Sequence, residues 1–200
     1  NQLPLPELRL ICEGAWERAI EQRLRRLLYR WDHAQGDMIV PGEYAHPRHI
    51  ALGSFGVTVQ ERTLAIDEGN NIVSHAVEDQ LPDDESLNRL REPEISLDED
   101  ADAADLERLN ALFGDLLPIR LAGMGYFGSF APWDDISYWR GVEPLLWDLV
   151  DEPDRMHRLM RRLTDIRLSL LARAEAMNLL EPTGTLIHCT AGLADEIPGP

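Results

Sequence analysis

Glu43 follows the short apolar run Met38–Pro41, with His46 and His49 close behind it. If that run is a buried strand, the carboxylate stands at its C-terminal end, partly desolvated, where it could serve as a general acid or base. An ordinary loop acid explains the same residue equally well. A second candidate closes the apolar run Thr185–Cys189, where His188 and Cys189 are adjacent. Neighbouring strand residues point to opposite faces, so these two do not readily share one metal ion. No C-x-x-C or H-x-x-x-H pattern completes a zinc site around them. As a nucleophile, Cys189 would need a nearby base, and no adjacent residue supplies one.

A third candidate is the glycine-bearing loop after Leu116–Ala122. Gly123, Gly125 and Gly128 form a literal G-x-G-x-x-G. A dinucleotide site needs a helix opening directly on those glycines, with an acid about 20 residues on at a strand end. Here Phe130, Ala131 and Pro132 follow, and the acid would be Asp148 inside the apolar helical run Leu145–Val150. The context argues against a dinucleotide, and glycines that let the backbone approach a neighbour closely are the simpler reading. Trp133 and Trp139 flank the loop and could wall a cleft. Trp16, Trp31 and Trp147 fall on helical stripes and are expected in the core. His75 and Asp79 have i, i+4 spacing, more suited to a surface hydrogen bond than to catalysis.

The elements that must position these residues follow from periodicity. Glu7–Trp31 reads as an amphipathic helix, with Ile20, Leu24, Leu27, Leu28 and Trp31 on one side and Arg23, Arg25, Arg26 and Arg30 on the other. Ile50–Ile66 and Asn71–Ser74 read as extended, with a turn at Glu68-Gly69-Asn70. Ala101–Phe113 reads as a helix ended by Gly114, and Leu116–Ala122 as a strand that is apolar apart from Arg120. Pro144 and Pro153 suit first helical turns. The longest helix is expected over Pro153–Leu180, with Met156, Leu159, Met160, Leu163, Ile166, Leu170, Ala174 and Met177 as its apolar stripe. Strands alternating with helices predict parallel pairing and an α/β architecture. Function in such folds collects in loops at strand C-terminal ends, here those after Val40, Ala122 and Cys189.

Composition excludes several chemistries. The 200 residues carry 36 acids and 19 basic residues, a formal charge of -17. Every basic residue is Arg. Without Lys there is no Schiff-base chemistry and no P-loop phosphate grip. The acid excess opposes nucleic-acid backbones and anionic membrane surfaces as partners. No apolar run reaches the length of a membrane span, and two distant cysteines fit a reducing cytoplasm. Between Asp67 and Glu107 there are 15 acids against Arg89 and Arg91, which reads as an acidic solvated surface. Arg155–Arg173 carries six Arg and, within it, Asp165 alone.

The stretch Ala131-Pro132-Trp133-Asp134-Asp135-Ile136-Ser137-Tyr138-Trp139 resembles the uroporphyrinogen decarboxylase pattern G-x-P-[WF]-T-x-x-x-Y. Pro153-x-x-Met156-His157 resembles the start of that family's long helix. Cys189-Thr190-Ala191-Gly192 resembles its later Ser-His-Ala-Gly strand end. Leu24-Arg25-Arg26-Leu27-Leu28-Tyr29-Arg30-Trp31 and Gly36-Asp37-Met38-Ile39-Val40-Pro41 are similar to an uncharacterised bacterial branch of the superfamily. The order and spacing of these motifs cover nearly the whole chain, as the N-terminal part of a family member.

The resemblance implies a single domain over 1–200 forming the first part of an incomplete (β/α)8 barrel. It also implies a lyase that removes carboxylate from a tetrapyrrole-type substrate without a cofactor. Glu43 falls near the family's essential Asp, which meets the pyrrole NH groups, and Tyr138 where a Tyr contacts substrate. Gly123, Phe127, Trp133, Asp134, Cys189 and Thr190 would line the substrate site. Asp134 stands where the family has Thr, and the family's N-terminal Arg-rich motif for propionates is not found. The superfamily also contains corrinoid-dependent methyltransferases, whose corrinoid rides on a partner protein, often with a zinc-activated thiol. A non-catalytic binding module is the third expectation, and a homodimer is compatible with any of them.

Overall fold

The computed structural model describes residues 9–34, 36, 40–65, 73–125 and 132–181. The chain falls into two compact units, Asn1–Gly42 and Glu43–Pro200.

The first unit contains helix α1 (Ala15–His33). The helix starts later than the periodicity of Glu7–Trp31 predicts. The Glu21 carboxylate accepts the backbone N–H groups of Ile11 and Cys12 at 2.9 Å, and Arg18 donates to the Cys12 carbonyl at 3.1 Å. Those bonds hold the preceding segment against the helix side instead of extending it. Arg25, one turn on, donates to Glu21 at 2.7 Å. Of the expected stripe only Ile20 is buried, while Leu28 and Trp31 are exposed.

In the second unit, β1 (Tyr44–Pro47) pairs in parallel with β6 (Ile119–Ala122). A parallel bridge between Met124 and Leu180 extends β6 onto the next segment of chain. Three stretches of backbone thus lie side by side in sequence order, all parallel. Between β1 and β6 the chain makes two antiparallel pairs, β2 (Ile50–Leu52) with β5 (Ile95–Leu97) and β3 (Glu61–Ala65) with β4 (Val73–Val77). Helices α2 (Asp84–Leu87) and α3 (Glu99–Phe113) complete this half. Between β6 and Leu180 run α4 (Pro132–Arg140), α5 (Val142–Asp151) and α6 (Pro153–Ala176). The protein is a mixed helix-and-strand, α/β-type fold, and among the described residues no closed barrel is formed.

The sequence expectations are sharpened by these boundaries. The strand expected at Met38–Pro41 lies partly outside the described residues, and Val40 and Pro41 are not in a strand; the strand comes later, at β1. Leu116 and Leu117 close a turn onto Phe113, so β6 begins only at Ile119. The expected strand Thr185–Cys189 and the turn at Glu68-Gly69-Asn70 lie outside the described residues.

Helix α6 carries the core. Met156, Leu159, Leu163 and Ile166 pack with Leu81, Leu90, Ile136, Trp139 and Leu145, and Leu170 and Ala174 pack with Ile95 and Leu179. Each Leu or Ile side chain removed from water here contributes about 1.5–3 kcal/mol. The stripe reads true except at its end, where α6 stops at Ala176. Met177 caps the helix and is exposed, and Asn178 turns back with φ +53°. Trp139 is a core residue and no cleft wall, whereas Trp147 is exposed on α5, contrary to expectation.

Polar groups tie the same helices together. Asp148, buried on α5, accepts from Arg140 at 2.7 and 2.9 Å and from Arg155 at 3.4 Å. Arg140 also pairs with Asp79, and Arg155 donates to the Leu81 carbonyl. Asp148 is therefore committed to the fold, as its place inside a helix already suggested. The acidic segment is only partly a solvated face. Arg158 pairs with Asp84 at 2.7 Å, Arg173 with Glu92 at 2.7 Å, and Arg48 with Asp102 at 2.9 Å.

Two outcomes check this description. Leu163→Ala, at a fully buried position, is expected to lower the unfolding free energy by about 2–5 kcal/mol in a urea titration, and Met177→Ala by less than about 0.5. In the first unit, the Cys12 N–H, with Arg25 and the Ile11 N–H, holds the Glu21 carboxyl down at about 2 against the upward push of partial burial. A depressed carboxyl contributes stability that is complete above its unfolded value near 4.5 and is lost as pH falls toward about 2. An NMR titration of the Glu21 side chain checks it, and a midpoint near 4.5 would disprove the tie.

Candidate functional site

The parallel strands place two clusters of chemistry-bearing side chains on opposite faces. Side chains alternate along a strand. Glu43, one residue before β1, therefore shares a face with Ala45 and Pro47, and Tyr44 and His46 take the other. The register pairs Ala45 with Arg120 and His46 with Leu121.

On the first face, Arg120 joins three segments. Its Nε donates to Glu43 Oε1 at 2.8 Å, and its Nη1 lies 2.9 Å from Glu181 Oε1 and 3.0 Å from Oε2. Glu181 follows Leu180 directly, so the cluster spans all three parallel segments. Gly123 donates its backbone N–H to Glu181 at 2.8 Å. The Glu181 side chain is almost fully buried, and Arg120 and Glu43 are each about one-third exposed. The hydrogen bond to Glu181, with that to Glu43, raises the Arg120 guanidinium further above its ordinary range against the opposing pull of burial. Two carboxylates on one guanidinium leave a net charge of -1. A carboxylate offers about four acceptor positions, so Glu43 retains acceptor capacity beside its bond to Arg120.

Gly123 is required here by contact. A Cβ at this position would stand 2.3 Å from the Leu179 carbonyl oxygen. The close approach that the glycine permits is to the neighbouring Leu179–Glu181 segment, which meets Met124 through hydrogen bonds to Leu179 and from Glu181. Gly123 therefore serves the bridge to that segment, and its N–H serves the Glu181 carboxylate.

On the other face, α3 lies over β1. Tyr44 meets Phe113 edge to face at 5.2 Å. His46 Nε2 is 3.0 Å and His49 Nε2 is 2.9 Å from the same oxygen, Asp105 Oδ2. Asp102, one turn earlier on α3, accepts the His49 backbone N–H at 2.7 Å and pairs with Arg48. Burial pulls the Asp105 carboxyl up, but the hydrogen bonds from His49 and His46 together outweigh it and hold the group below its usual range. His46 Nδ1 is buried and has no hydrogen-bond partner among the described residues.

The structure brings together Glu43 and Gly123 of the sequence-derived set. Contrary to expectation, Glu43 stands directly before β1 and not at the C-terminal end of a strand; Arg48 and His49 occupy the C-terminal side instead. Tyr138 lies exposed on α4, and the hydrogen bonds that assemble the Glu43 cluster do not include it. Trp133 and Asp134 are also exposed on α4, where the Asp134 carbonyl accepts from Ser137 at 2.7 Å. Phe127, Cys189 and Thr190 lie outside the described residues. His75 is not on a helix: it sits on β4 with Nδ1 2.9 Å from Glu61, while Asp79 belongs to Arg140.

Arg120, Glu181 and Asp105 were not singled out from the sequence. Arg120 had a signal, as the one charge in an apolar strand. Glu181 and Asp105 had none, because their partners are 61 and 59 residues away. No protein-family model, curated protein or solved structure matches the chain. No helix among the described residues is long and apolar enough to cross a membrane.

The cluster's energetics can be checked. Arg120→Met takes the guanidinium away from the buried Glu181 carboxylate and is expected to cost about 3–5 kcal/mol of stability. Glu43→Gln, at a partly exposed position, is expected to cost less than about 1 kcal/mol. Equal effects in paired urea titrations would contradict the burial difference.

Proposed function

We propose that the chain is the N-terminal part of a uroporphyrinogen-decarboxylase-like (β/α)8 barrel, acting as a lyase that removes carboxylate from acetate side chains of a tetrapyrrole-type substrate. The observation that carries this reading is the Glu43 carboxylate on the face of the parallel strands, linked through Arg120 to the almost buried Glu181. Such a cluster is rich in acceptors and carries net negative charge. It suits the N–H groups of pyrroles, and the partial positive charge that develops on a pyrrole ring as it is protonated, better than it suits a carboxylate. In-order parallel stacking of β1, β6 and the Leu180 segment, with helices α4–α6 in the second connection, is compatible with the opening of a barrel. It supports the same reading as the motif order from Pro132 to Gly192.

Within this reading Glu43 accepts from the pyrrole N–H groups and stabilises the charged ring. Arg120 and Glu181 are positioning residues. Arg120 fixes the Glu43 carboxylate, and Glu181 fixes Arg120 and the backbone at Gly123. No resident cofactor is required for the step.

The test incubates the full-length protein with uroporphyrinogen and follows coproporphyrinogen by chromatography. Turnover is expected, and Glu43→Gln is expected to lower kcat by about 10²–10³, the size of one lost stabilising group. Absence of turnover above background with folded protein would end this reading.

A further inference from the structure

The geometry points to a divalent transition-metal site, best suited to zinc, formed by His46 Nε2, His49 Nε2 and Asp105 on the α3-facing side of β1. It is separate from the Glu43 cluster and independent of the proposed decarboxylation.

Three observations carry it. The first is convergence. The two imidazoles do not take separate oxygens of Asp105; both Nε2 atoms aim at Oδ2, at 3.0 and 2.9 Å. One ligand atom from each of the three residues lies within 4.8 Å of the others. Around a zinc ion with bonds of about 2.0–2.1 Å, tetrahedral ligand atoms stand about 3.3 Å apart. The two nitrogen-to-oxygen edges, at 3.0 and 2.9 Å, therefore need a change of only a few tenths of an ångström.

The second is the donor set. Two neutral imidazoles and one carboxylate suit zinc and related first-row ions, whereas calcium and magnesium call for oxygen ligands. Three protein ligands also leave a coordination position open. The third is access and charge. His49 is 44% exposed at its side chain. It lines a shallow groove together with Ser96, Asp98, Glu99 and Asp100. Those acids make the approach favourable for a cation.

The backbone supports the ligands. Asp102 fixes the His49 main chain through its N–H, and the His49 carbonyl accepts from Asp98 N at 3.0 Å. His46 is held in a strand and Asp105 in a helix, so none of the three ligands depends on a long loop. Rigid placement of this kind is what makes a metal site selective.

The test uses the full chain, stripped with chelator and dialysed against zinc, with metal content measured per chain. In parallel, cobalt(II) is added and its visible absorption recorded. One zinc per chain and a cobalt spectrum of four- or five-coordinate intensity are expected. His49→Ala and Asp105→Asn are each expected to weaken zinc binding by at least about a hundredfold, beyond the 10–100-fold cost of losing a supporting group. His75→Ala, which removes a surface imidazole paired with Glu61, should leave binding unchanged. If Asp105→Asn does not fold, the exposed His49→Ala decides alone. No stoichiometric ion on the wild-type chain, or equal binding by the wild type and His49→Ala, overturns the site and shows a hydrogen-bonded His–Asp–His cluster only. Neither result bears on turnover of uroporphyrinogen, so the two readings fail separately.

Discussion

Pairing between guanidinium groups and carboxylates of different elements is the constraint on which the second unit depends. Every basic residue is Arg, and the planar fork can bond two different partners at once. Arg140 does this at Asp148 and Asp79, Arg155 at Asp148 and the Leu81 carbonyl, and Arg120 at Glu43 and Glu181. Buried charges of this kind add little net stability over a hydrophobic substitute, but an unpaired survivor is costly. Their effect is to make one arrangement of helices and strands much better than its neighbours. The apolar stripe of α6 supplies the burial, and the ion pairs decide what it is buried against.

This pairing also explains how a chain of formal charge -17 holds together. Acids of the Asp67–Glu107 stretch pair with Arg residues of α6. Asp84 and Glu92 meet Arg158 and Arg173 across more than seventy residues of sequence. The exposed pairs are individually weak. Collectively they remove much of the like-charge repulsion that the bare composition implies. The local acid excess of the Asp67–Glu107 stretch is accordingly a poorer guide to partners than it first appears, because Arg residues from outside the stretch offset part of it.

The two clusters on β1 follow from one register. Because side chains alternate, a strand that places Glu43 beside Arg120 must place His46 under α3. The Tyr44–Phe113 contact and the two α3 carboxylates, Asp102 and Asp105, then fix the turn after β1. One strand thus separates an acceptor-rich face from a His–Asp face without mixing their chemistry.

Read alone, the sequence determined the helical stripe of α6, the approximate positions of α1, α3 and β6, and the alternation that gives a mixed α/β fold. These are local properties, set by periods of 3.6 and 2 and by helix-ending residues such as Gly114. It also marked Glu43, His46 and His49. It misplaced what depends on long-range hydrogen bonds. The start of α1 moved because Glu21 captures the Ile11 and Cys12 amides, and His75 went to a strand because β3 pairs with β4. Only the tertiary structure decided that Gly123 admits the backbone of the Leu179–Glu181 segment, that Trp147 is outside and Trp139 inside, and that Glu43, Arg120 and Glu181 meet. The physical reason is separation. Contacts 59 to 77 residues apart leave no periodic trace in sequence, because they depend on how the strands are laid beside one another and not on any residue's own preference.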